Sequence, residues 1–86
     1  MAKRVECGKW LVIEATAREM YVAFGSPGVC DFCEAKPEKG YYIAAINKWY
    51  CPKCFEEFIK DSRYYPEDRP IEVRNFHLYG MKLGVL

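Results

Sequence analysis

CDFCEAKPEKGYYIAAINKWYCPKCFEEF, residues 30–58, holds two C-x-x-C pairs, Cys30/Cys33 and Cys51/Cys54, with seventeen residues between them. Two residues between cysteines let one tight turn bring both sulfurs to a single ion. Two such pairs complete the tetrahedral four-ligand shell that Zn²⁺ takes at Zn–S distances of about 2.3 Å. The interval also fits the C-x₂-C-x₁₅₋₂₀-C-x₂-C pattern of zinc sites. The stretch therefore predicts one Zn²⁺ held by Cys30, Cys33, Cys51 and Cys54. A shell closed by thiolates leaves no position for water or substrate, so the expected role is structural rather than catalytic. Iron in a rubredoxin-like site is the competing metal, but such proteins usually carry glycine after each second cysteine, where Glu34 and Phe55 stand here. A thioredoxin-like redox pair needs one C-x-x-C in a βαβ setting, which neither pair has.

Between the pairs, Glu34 to Gly40 is polar and turn-rich. Tyr41 to Ile46 then alternates as a strand, with Tyr42, Ala44 and Ile46 on one face and Tyr41, Ile43 and Ala45 on the other. Asn47 tolerates the positive φ of a tight turn, so Trp49-Tyr50 is expected to return antiparallel and deliver the chain to Cys51. From Cys54 onward, Phe55, Phe58 and Ile59 form an i, i+3, i+4 apolar stripe, and Glu56 precedes Lys60 by four residues. That spacing predicts an amphipathic helix ending by Pro66.

A cysteine pair on a turn, a hairpin over 41–50 and a second pair opening a helix resemble the treble-clef zinc finger. Within that group the pattern is similar to the zinc-binding domain of the ClpX unfoldase, on Cys30, Cys33, Cys51 and Cys54 and over residues 29–62. A zinc ribbon would place a second hairpin after Cys54, which Phe55 to Lys60 does not favour. The resemblance implies a small α+β fold around a treble-clef zinc-binding module at 29–62, with extensions at 1–28 and 63–86. It further implies one structural zinc, an adaptor role toward a protein partner, and a homodimer. Treble clefs also serve as nucleic-acid binders, ribosomal parts and, with added histidines, nucleases, so fold alone does not supply function.

The flanks are read more coarsely. Lys9 to Ile13 suits a short strand or the start of a helix. Thr16-Ala17-Arg18-Glu19 fits a capping box and Gly25 stands where a C′ glycine belongs, predicting a helix over Ala17–Phe24. The alternation of Met20, Val22 and Phe24 leaves a hairpin as the rival. Gly25-Ser26-Pro27-Gly28 is a turn or short linker. After the second pair, Arg63 to Pro70 reads as a loop, Ile71-Glu72-Val73 and Phe76 to Tyr79 as weak strands, and Gly80 to Leu86 as a frayed tail or final strand.

With 86 residues the chain is expected to form a single domain whose core needs help from a metal or an interface. Trp10-Leu11-Val12-Ile13, the longest early apolar run, is too short for a signal h-region or a membrane span, which predicts a cytoplasmic protein with no membrane partner. In a reducing compartment the paired motifs, and an odd total of five cysteines, favour metal over disulfides. The formal charge of +1 falls to near −1 once four thiolates hold one Zn²⁺, which weakens any case for nonspecific phosphate binding.

Lys36, Lys39, Lys48 and Lys53, with Tyr41, Tyr42, Trp49 and Tyr50, are the residues a nucleic acid would meet. Glu34, Glu38, Glu56 and Glu57 dilute that patch. Cys7 is expected to be a small buried hydrophobe rather than a ligand, and His77 an ordinary surface or core residue without a catalytic partner. Tyr64-Tyr65-Pro66-Glu67-Asp68-Arg69 is either a partner-binding loop or a segment folded back on the core. These readings predict a zinc-binding protein-interaction module that is not an enzyme, with a nucleic-acid-associated zinc finger of regulatory role as the alternative.

Overall fold

A computed structural model describes residues 2–26 and 28–86. Pro27, within the expected turn, lies outside the described residues. Strands β1 (Lys3–Cys7), β2 (Trp10–Thr16), β3 (Lys39–Ile43) and β4 (Lys48–Tyr50) form one antiparallel sheet in that order. Helices α1 (Ala17–Phe24), α2 (Pro52–Asp61) and α3 (Arg69–Leu83) cover it. The protein is a small α+β fold with a four-cysteine cluster. No helix is long and apolar enough to cross a membrane.

Each connection has a local cause. β1 and β2 turn through Gly8-Lys9, with Cys7 opposite Trp10 and Gly8 at φ 60°, the glycine position of a two-residue II′ hairpin turn. β2 runs directly into α1, where the capping box forms: Glu19 N–H donates to Thr16 Oγ1 at 3.0 Å and Thr16 N–H to Glu19 Oε1 at 2.9 Å. Gly25 closes α1 at φ 79°, its N–H donating to Tyr21 O. The helical reading of 17–24 therefore prevails over the hairpin. The β3–β4 turn has Asn47 at φ 54°, as its residue type predicts, and Tyr42 Oη donates to Asn47 Oδ1 at 2.6 Å. β3 stops at Ile43, so Ala44 to Ile46 belong to the turn rather than the strand.

The period-two alternation sorts the sheet into two apolar faces. Leu11, Ile13, Tyr42, Ala44 and Trp49 meet Phe76, with Ala17, Met20, Tyr79 and Leu83 from α1 and α3 packed around them. The opposite face receives α2, where Phe55 stacks on Tyr41 at 4.3 Å and Phe58 stands edge-on to Trp10 at 5.0 Å. Sheets covered on both faces need near-continuous apolar strands, which Trp10-Leu11-Val12-Ile13 supplies. Val12, Ile13 and Ile43 are fully buried.

Trp49 lies in a bed of glycines. A Cβ at Gly40 would stand 2.5 Å from Trp49 Cζ2 and 2.6 Å from Tyr50 O, and one at Gly28 would stand 2.7 Å from Trp49 Cη2. Gly40→Ala is expected to destabilise the protein by about 1–3 kcal/mol, the usual effect of overpacking a tight core. Urea unfolding checks this through a lower midpoint at unchanged m-value.

The C-terminal third corrects the sequence reading. Residues 71–73 and 76–79 are not strands, and 80–83 are neither tail nor strand: all belong to α3. Pro66–Asp68 forms a 3₁₀ turn inside the expected loop. The buried positions of α3 are Glu72, Phe76 and Gly80, an i, i+4, i+8 stripe in which one residue of three is a large hydrophobe. A helical period read from apolar residues is therefore blind to this face. Signals at the ends were present: Pro70 in the first turn, and Gly84 at φ 78°. There Val85 N–H donates to Gly80 O at 2.7 Å and Gly84 N–H to Met81 O at 3.3 Å, the paired bonds of a Schellman motif. β1 was likewise absent from the sequence reading, because Lys3-Arg4-Val5-Glu6-Cys7 carries little apolar pattern of its own.

Candidate metal centre

The two cysteine pairs arrive from different elements. Cys30 and Cys33 lie on the turn between α1 and β3, and this turn is strapped to the free side of β4: Asp31 N–H donates to Trp49 O at 3.0 Å and Trp49 N–H to Asp31 Oδ2 at 2.9 Å. Within it Cys30 N–H donates to Ala35 O, Glu34 N–H donates to Cys30 O, and Glu34 takes φ 63°. Glu34 thus adopts the left-handed conformation that glycine favours, so the missing glycine at this position does not discriminate between metals on backbone grounds. Cys51 follows β4 as the N-cap of α2, Pro52 occupies the first helical turn, and Cys54 sits one turn in. The second pair therefore opens a helix, as the apolar stripe of Phe55, Phe58 and Ile59 predicts.

All four sulfurs lie within 4.8 Å of one another, and Cys33 Sγ is 3.7 Å from Cys51 Sγ. A tetrahedron with 2.3 Å metal–sulfur bonds has an edge of about 3.8 Å, so the cluster already has nearly the size a metal requires. A disulfide would need the sulfurs at about 2.05 Å. Cys30, Cys51 and Cys54 are buried with Tyr50 packed against them, while Cys33 is exposed. The four cysteines can hold a metal ion, and an all-thiolate tetrahedral donor set is one that zinc takes.

Backbone dipoles prepare the site for negative charge. Burial raises the Cys30 thiol, but N–H groups of Cys33, Cys51 and Phe32 outweigh it and bring the thiol down to about 6. Cys33 N–H lies 3.5 Å from Cys30 Sγ. Burial pushes Cys54 upward, and the neighbouring thiols add to the rise. A divalent cation reverses that balance, since a coordinated thiol is deprotonated outright.

The remaining candidates stay outside the cluster. Cys7 ends β1 on the α2 side of the sheet, half-buried beside Tyr41, Phe55 and Ile59 rather than fully buried. His77 is exposed on α3. Lys36, Lys39, Lys48 and Lys53 are all exposed, and Lys39 is engaged by Glu14 at 3.7 Å.

Sequence reasoning missed one polar centre. Glu72 is 0% exposed, and each of its oxygens is used: Oε2 accepts from Leu11 N–H at 2.9 Å, Oε1 from Tyr64 Oη at 2.9 Å and Arg69 Nη1 at 2.8 Å. Leu11 stands opposite Ala44, just past the last β2–β3 ladder pair, and accepts from Ala44 N–H at 3.1 Å. The reciprocal bond of such a pair is replaced by α3, where Glu72 takes Leu11 N–H and Asn75 Nδ2 donates to Ala44 O at 3.0 Å. Two side chains three residues apart on one helix thus complete the open end of a ladder. No local pattern in Ile71-Glu72-Val73 signals this role. No family model, curated protein or solved structure matches the chain.

Proposed function

We infer that the protein is a zinc-braced interaction module of treble-clef type that works in the cytoplasm by presenting a surface to a protein partner, without catalysis of its own. The knuckle at 30–33, the β3–β4 hairpin and a helix entered through Cys51 and Cys54 follow the treble-clef order, and zinc is the metal that suits a closed thiolate shell.

The outward side of α3 is the observation that carries the partner reading. Ile71 is 55% exposed, Leu78 48% and Met81 60%, and their i, i+7, i+10 spacing places them in one stripe on the side away from Glu72 and Phe76. Three large apolar side chains left uncovered on one side of a helix fit an interaction surface better than a solvated one. Engagement of Lys39 by Glu14 leaves the nucleic-acid alternative less support than the lysine count suggests.

The test is affinity capture from host lysate with and without nuclease, using the parent chain and a Leu78→Glu/Met81→Glu variant. A nuclease-resistant partner that the variant loses is the expected result. Nuclease-sensitive recovery, or recovery indifferent to the variant, contradicts it. Sedimentation of both forms reports whether a second copy of the chain is that partner.

A further inference from the structure

Phe32 stands between the two knuckle cysteines with 71% of its surface exposed. Closing a C-x-x-C turn around a metal requires no apolar side chain there, and the exposed ring is joined by two further aromatic rings into a continuous lining. Its ring is edge-on to Tyr50 at 6.0 Å, and Tyr50 is edge-on to Phe58 at 6.0 Å. With Cys54, Glu57 and Asp61 these rings line a cavity of about 210 Å³ beside the metal centre.

The charge of this cavity is one-sided. Glu57 and Asp61 are four residues apart on α2, hence neighbours on one side of the helix, where like charges repel. Asp61 also ends the helix, where the backbone dipole disfavours an anion. Neither carboxylate joins an ion pair among the described residues. Behind Cys54, four thiolates around a divalent ion add two further negative charges. Aromatic faces attract cations through their quadrupole, most strongly where water is partly excluded.

We propose that the cavity of Phe32, Tyr50 and Phe58 binds one cationic side chain, a lysine or an arginine, presented by a partner protein. The site lies on the α2 side of the sheet, away from the apolar stripe of α3, and is independent of that stripe. It rests on the metal reading to the extent that the coordinated knuckle holds Phe32 in place.

The test is an NMR titration of zinc-loaded protein, its zinc content measured on the same sample, with n-butylammonium, n-butylguanidinium and neutral n-butanol. Saturable shifts at Phe32, Tyr50, Glu57, Phe58 and Asp61 with the cations, and weaker ones with n-butanol, are expected. Phe32→Ala and Glu57→Gln/Asp61→Asn should each weaken cation binding by roughly fivefold or more, and added salt should weaken it further. Equal or tighter binding of n-butanol overturns the proposal, as does a lack of saturable shifts with both cations. Zinc below one equivalent in that sample counts against the metal reading instead, which keeps the two failures distinct.

Discussion

Chelating the metal is expected to open residues 29–36 and 51–62 first, while β1–β3 hold with α1 and α3. Cys30, Cys51 and Cys54 pack with Tyr50 in a cluster separate from the core of Leu11, Ile13, Tyr42, Ala44, Trp49 and Phe76. Without the ion, the knuckle keeps few bonds beyond the Asp31–Trp49 strap, and α2, ten residues long and too short to persist on propensity, is held by its aromatic contacts with Tyr41 and Trp10. Zinc binding contributes roughly 10–16 kcal/mol in zinc-finger peptides, comparable with the whole stability of a small domain. Hydrogen exchange with and without chelator is the measurement, and amides of α2 and the knuckle should lose protection while those of β2 and α3 keep theirs. Cys51→Ser should reproduce the chelated pattern. Less than one equivalent of zinc per chain, or a Cys51→Ser variant that melts where the parent does, contradicts the structural role of the metal.

Glu72→Ala is expected to cost about 3–5 kcal/mol, from a buried N–H left unpaired together with the hydrogen bonds lost to a charged acceptor. The variant strands the N–H of Leu11, which has no ladder partner, and releases Tyr64 and Arg69 together. Arg69 Nη1 also donates to Lys9 O at 3.2 Å, so its release loosens the β1–β2 turn as well. At about 4–8 °C per kcal/mol for a domain of this size, the melting temperature should fall by roughly 12–40 °C. Glu72→Gln keeps the shape but turns one acceptor oxygen into a donor, so its loss should be smaller. A thermal melt of Glu72→Ala within 5 °C of the parent would be evidence that the network does not stabilise the fold to this extent.

Legibility in the sequence followed the range of the interactions. α1 was readable because its signals, Thr16, Glu19 and Gly25, act within one turn of the residues they cap. The β3–β4 hairpin was readable from alternation and Asn47, and α2 from its apolar stripe. The clustering of Cys30, Cys33, Cys51 and Cys54 was readable because tetrahedral coordination imposes a spacing that survives without knowledge of the rest of the fold. β1 carries no such mark, since an edge strand gains its partner from β2 and needs little apolar pattern of its own. The α3 misreading has the same root: in its buried stripe Glu72 and Phe76 meet residues of the sheet and Gly80 lies under Leu86, none of which a local apolar period records.

Residues 30–58 by themselves determined a four-cysteine cluster, a hairpin and a helix entered through the second cysteine pair, because cysteine spacing and turn chemistry are local. Only the tertiary structure decided that this hairpin would join β1 and β2 in one sheet, and that Glu72 of α3 would lie fully buried against it. The ladder between β2 and β3 opens at Leu11 and Ala44, and a buried N–H left there has no water to meet. Glu72 lies sixty-one residues away in sequence from the donor it satisfies, and only the packing of α3 against β2 brings the two together.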